Sequence, residues 1–134
     1  MTTELLVLAG RILFGGYFAF NGFNHFKNSG QMTGYAESKG VPYASAAVYL
    51  TGLMLLAGGL GVAAGAYPAI SLGLIGAFLL VVTPKMHDFY NMEGEQRQEQ
   101  MTHFMKNTAL LGAALALTGI SWSTYAVGTG LGLL

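Results

Sequence analysis

Four long apolar runs, each close to the length that crosses a bilayer, constrain this chain more than any other feature. They cover about residues 5–26, 44–64, 68–90 and 101–122, and about 20 apolar helical residues span a hydrocarbon core of roughly 30 Å. In lipid the polar backbone groups must be satisfied within each segment, so runs of this kind fold as helices. The polar connections, 27–43 and 91–100, leave little length for a separate soluble domain. The expected architecture is all-α: one integral membrane domain, an antiparallel four-helix bundle with the lipid bilayer as its solvent. The chain is 53% hydrophobic and only 9% charged, whereas soluble domains carry about a quarter charged residues. Its opening, Met1-Thr2-Thr3-Glu4, lacks the basic region and cleavage site of a signal peptide, so the first run is expected to be a retained span.

Charge and cysteine content remove several function classes. Six basic residues balance six acidic ones, so there is no basic surface for nucleic acid. The chain has no cysteine, which rules out a thiol or disulfide enzyme acting on its own and any metal site with cysteine ligands. Lys27, Lys39, Lys85, Arg97 and Lys106 fall at the first and third connections or the helix ends beside them, and Arg11 alone falls toward the other side. By the positive-inside rule both termini are expected outside the cytoplasm, in a multi-pass protein of a cell membrane.

Within the runs, a few positions break the apolar pattern. Arg11, Phe18 and His25 follow one another at seven-residue spacing, so they share a stripe of the first helix, with Asn21 and Gly22 beside it. Arg11 either snorkels toward Glu4 or is a buried anchor for an anionic group, a second polar contact near the opposite face. Tyr35 to Lys39 fits a short interfacial helix, ended by Gly40 and followed by Pro42. Gly58, Gly59, Gly61 and Gly65 suit close helix packing. Pro84 removes a backbone donor just before Lys85, His87 and Asp88, so a kink is expected there. After a turn at 91–94, Glu99, His103, Lys106 and Asn107 recur at three- and four-residue intervals and share a face of the last helix. Trp122 and Tyr125 are expected at the far interface, and the glycine-rich tail gives no pattern.

Alternating helix directions bring His25, His87, Asp88 and His103 to one membrane face, with Asn21, Lys85, Tyr90, Lys106 and Asn107 at similar depth. Three readings of this constellation stay open. In the first, these residues end helices in a solvated interface and meet headgroups. In the second, they bind a quinone or another small redox molecule: His87 or His103 exchanges protons with it, Asp88 orients the imidazole, and Lys106 stabilises negative charge. Asn21, His25, Lys85, Tyr90 and Asn107 complete that binding set. In the third, His25, His87 and His103, with Asp88, hold haem or a metal, although no close pair of ligands in sequence supports it.

Gly10-Arg11-Ile-Leu-Phe-Gly15, Gly22-Phe-Asn-His25-Phe26, Lys85-Met-His87-Asp88-Phe89-Tyr90 and Gln100-Met-Thr-His-Phe104-Met-Lys106-Asn107 together resemble the DoxX family of small membrane proteins. The resemblance extends over nearly the whole chain. It implies a four-helix membrane bundle associated with oxidoreductase systems, since the family name is linked to a thiosulfate:quinone oxidoreductase subunit. On that footing the chain is expected to be the membrane subunit of a quinone-linked system, with a soluble redox partner. Without cysteine it cannot itself accept electrons through a disulfide. The competing expectation is a non-catalytic scaffold, a homo-oligomer or complex subunit assembled through its glycine-rich faces.

Overall fold

A computed structural model describes residues 2–120, and among these every regular element is helical. The order is α1 (Thr2–Lys27), α2 (Ser29–Ser38), α3 (Ala44–Ala64), α4 (Pro68–Met86), a 3-10 turn (Phe89–Asn91) and α5 (Gly94–Thr118). Among the described residues three segments are long and apolar enough to cross a membrane: Thr2–Lys27, Ala44–Ala64 and Pro68–Asn91, the last including the 3-10 turn. The fourth expected span, 101–122, corresponds to the later part of α5. That helix begins with the polar turns Glu95 to Gln100, and its expected end at Trp122, like Tyr125 and the tail, lies outside the described residues.

The helices pack in series, α1 on α3, α3 on α4 and α4 on α5, with α2 lying on α3. In α1 the buried residues are Arg11, Gly15, Phe18, Gly22 and His25, so the seven-residue stripe read from the sequence is the inward face. The outward faces are apolar: Leu13 on α1 is 75% exposed and Leu115 on α5 is 69% exposed. Side chains of this kind suit contact with lipid.

Glycine sets the closest approach. A methyl group on Gly15 would collide with the carbonyl of Gly59 and come within 2.6 Å of the Ala63 nitrogen, and one on Gly22 would come within 2.6 Å of the Gly52 carbonyl. Gly15 therefore faces Gly59 and Gly22 faces Gly52, an antiparallel seam with two contacts seven residues apart on each helix. The Gly59 read from the sequence belongs to this seam, while Gly58 approaches Ser71 and Ile75 of α4. Gly65 has a different task. At φ 73° it ends α3, and the Ala66 N–H returns to the Gly61 carbonyl at 2.8 Å, so the chain reverses into Pro68.

Two apolar cores result. The larger joins Phe18, Leu55, Val62, Leu72, Ile75, Leu79 and Ala114, drawn from α1, α3, α4 and α5. The smaller joins Ala36, Ala44 and Val48 and fastens α2 to the start of α3. The interfacial helix is thus longer than the expected 35–39 piece, because Met32 and Ala36 give it an apolar face of its own. Helix α4 runs through Pro84 and stops at Met86, four residues short of the expected Tyr90. The His87 N–H bonds the Thr83 carbonyl, and the chain then tightens into the 3-10 turn.

Candidate functional site

At the end of the molecule where α1 finishes and α5 begins, the helices diverge around a cavity of about 810 Å³. Its size falls within the range of small-molecule sites. The walls are apolar at Phe18, Val48, Phe78, Leu79 and Val82. The polar lining includes Asn21 and His25 from α1, Lys85 and His87 from the end of α4, and Lys106 and Asn107 from α5. These six are the residues of the sequence-derived set that meet at one cavity. Among the described residues the lining has two lysines and no carboxylate, so its electrostatic bias is toward electron-rich oxygen.

Each inner side chain is held by a neighbour. His25 is buried, 8% exposed, and its Nδ1 lies 3.1 Å from the Val48 carbonyl and 3.1 Å from the Thr51 hydroxyl oxygen. The Thr51 hydroxyl donates to the Ala47 carbonyl at 2.7 Å. A carbonyl can only accept, so the His25 proton sits on Nδ1. The ring also meets Phe78 edge-on at 6.0 Å. On α5, Asn107 is buried and its amide donates to the Thr83 hydroxyl at 3.2 Å. His87 Nδ1 pairs with the Gln100 side-chain oxygen at 2.8 Å, and its ring stacks on His103 at 5.1 Å between centroids. Lys106 Nζ lies 5.8 Å over the Tyr17 ring, which bridges α5 to α1 at the cavity edge.

Other expected site residues have different tasks. Asp88 does not orient a histidine. It forms an ion pair with Lys39 of the α2–α3 connection at 2.7 Å and accepts from Asn91 at 3.4 Å, while Gln100 holds the imidazole instead. His103 supports the His87 ring by stacking and is not part of the cavity lining. The Tyr90 hydroxyl donates to the Pro84 carbonyl at 2.8 Å, fixing the turn after α4. Arg11 is 1% exposed and donates to the Ala63 carbonyl at 3.4 Å, so it is buried in the α1/α3 interface and does not reach out to solvent. It sits ten residues before Asn21, roughly 15 Å along the helix. The three histidines do not converge, and among the described residues no group of three or more His, Asp or Glu side chains could hold a metal ion.

The sequence reading missed the supports. Lys39 and Asp88 are 49 positions apart, and only the lie of α2 across the end of α4 brings them together. Tyr35 makes a second tie there, its hydroxyl donating to the Met86 carbonyl at 2.8 Å. Burial pushes the Tyr35 phenol up from its ordinary value, with Lys39 opposing, so it stays a donor. Thr51 did carry a signal: it is the last polar residue of α3, followed by thirteen residues without a polar side chain. A family model described as DoxX matches residues 6–88. No curated protein and no solved structure gives a significant match.

Proposed function

The chain belongs to the DoxX family, and from that premise we propose that it is the membrane subunit of a quinone-linked oxidoreductase system, binding a quinone or similar small redox molecule in the cavity. One observation carries this reading: an apolar cavity of about 810 Å³ whose polar lining, among the described residues, is imidazole, amide, hydroxyl and ammonium without a carboxylate. A quinone fits that mixture, because its ring suits Phe18, Phe78 and Leu79 while its oxygens suit the polar groups. In this proposal α5 is the fourth span of an antiparallel bundle, and the basic residues at the cavity end place both termini outside the cytoplasm.

The residues divide the work by depth. Lys85 and Lys106, both exposed, stand at the rim and stabilise an oxygen that gains negative charge. Asn21 and His25 reach the ring from α1, and His87, steadied by Gln100 and His103, is placed to exchange protons at the α4 end. Electrons come from the soluble partner that the proposal assigns to the system.

The test is binding by the purified protein in lipid nanodiscs, titrated with a short-tailed benzoquinone. Saturable binding is expected. Lys106→Met together with Asn21→Leu should weaken it about tenfold or more, since hydrogen bonds to a charged group contribute about 1.5–3 kcal/mol. Binding that never saturates, or that ignores the double variant, would remove the quinone reading.

A further inference from the structure

The fixed proton on His25 says which form of the ligand the cavity holds. We infer that His25 accepts a hydroxyl hydrogen from the ligand at Nε2, so the site selects the reduced hydroquinone over the quinone. This rests on the reading of the cavity as a quinone-type site.

Nδ1 lies 3.1 Å from the Val48 carbonyl and must donate to it. The Thr51 hydroxyl does not donate to Nδ1, because its own hydrogen goes to Ala47 at 2.7 Å; its oxygen, 3.1 Å from Nδ1, is a second acceptor for the same hydrogen. A neutral imidazole with its hydrogen on Nδ1 keeps a lone pair on Nε2. Nothing at the site favours a second proton: two lysines line the cavity and no carboxylate does, and the nearby Asp88 is paired with Lys39. Nε2 has no hydrogen-bond partner among the described residues and is not a sealed polar atom, and His25 lines the cavity, so we take Nε2 as the atom that meets the ligand.

A hydroquinone hydroxyl can donate to this lone pair. A quinone carbonyl has no hydrogen, and at the same place it would set lone pair against lone pair. The lysines do not cancel this preference. Both are exposed, and an ammonium can donate to a phenolic as well as to a carbonyl oxygen, so the discrimination falls to Nε2.

Three probes on the intact protein in nanodiscs decide the matter: a short-tailed benzoquinone, its hydroquinone, and the dimethyl ether of that hydroquinone. The hydroquinone should bind about tenfold tighter than the quinone, which raises the midpoint potential of the bound two-electron couple by about 30 mV. The ether, which keeps the ring but has no hydroxyl hydrogen, should bind no better than the quinone. In His25→Phe, the hydroquinone should fall to within about twofold of the quinone, as expected when the one discriminating hydrogen bond is lost. The ether comparison needs no substitution and holds even if that variant fails to fold. Quinone binding equal to or tighter than hydroquinone, or an ether as tight as the hydroquinone, overturns the inference while leaving the cavity a quinone site. Failure of all three probes to bind overturns that reading and the inference with it.

Discussion

Helix α1 is built in two ways along one face. Toward α3 it presents Gly15 and Gly22, and the two backbones close until no methyl group fits between them. Toward its last turns Asn21 and His25 line open space shared with α4 and α5. The cavity therefore depends on the seam. Without water to drive helices together in lipid, contact at Gly15, Gly22, Gly52 and Gly59 supplies dispersion and close backbone approach. That contact fixes α1 firmly enough for the neighbouring turns to hold polar groups apart.

Damage to the seam should produce the largest change. Gly59→Val places a branched side chain against the backbone of Gly15 and Ala19. It should cost about 3 kcal/mol or more, the upper part of the overpacking range, and appear as a large fall in the thermal midpoint in detergent. The Lys39–Asp88 pair comes next, because it ties the α2–α3 connection to the chain just beyond α4. Asp88→Asn should cost on the order of 1–2 kcal/mol, between the exposed and buried limits for ion pairs. Combining it with Lys39→Met should recover part of that loss in a double-mutant cycle.

At the cavity rim, stability and binding should separate. Lys106→Met removes a charge over the Tyr17 ring and should change stability by less than about 1 kcal/mol while weakening quinone binding. A thermal shift and a titration on one preparation check both. The smallest effect is expected at Gly112→Ala, where an added methyl group meets nothing within 4 Å. There the helix should gain up to about 1 kcal/mol from propensity. If Gly112→Ala and Gly59→Val perturb stability alike, the contrast between the two ends of the account collapses.

The all-helical architecture and the inward stripe of α1 were legible in the sequence, because period and apolar length are local properties. So was the meeting of Asn21, His25, Lys85, His87, Lys106 and Asn107, since alternating helix directions alone bring those positions to one end. What escaped was pairing. Nothing in the residues around Asp88 says that its partner is Lys39 and not His87. Nor does the spacing of Gly15 and Gly22 name Gly59 and Gly52 as their counterparts, because register between helices is set by the whole packed interface. The α2 helix was read too short because its apolar face is only two side chains wide, Met32 and Ala36.

The central claim is that the ligand lies inside the cavity and not on the lipid-facing surface. A photoreactive quinone, activated in nanodiscs and mapped by peptide mass spectrometry, tests it directly. Adducts are expected on the cavity-lining stretches of α1 around Asn21 and His25, of α4 around Phe78 to Val82, and of α5 around Lys106, suppressed by excess unlabelled quinone. Adducts confined to outward side chains such as Leu13, Leu53 and Leu115, unaffected by that excess, would contradict it.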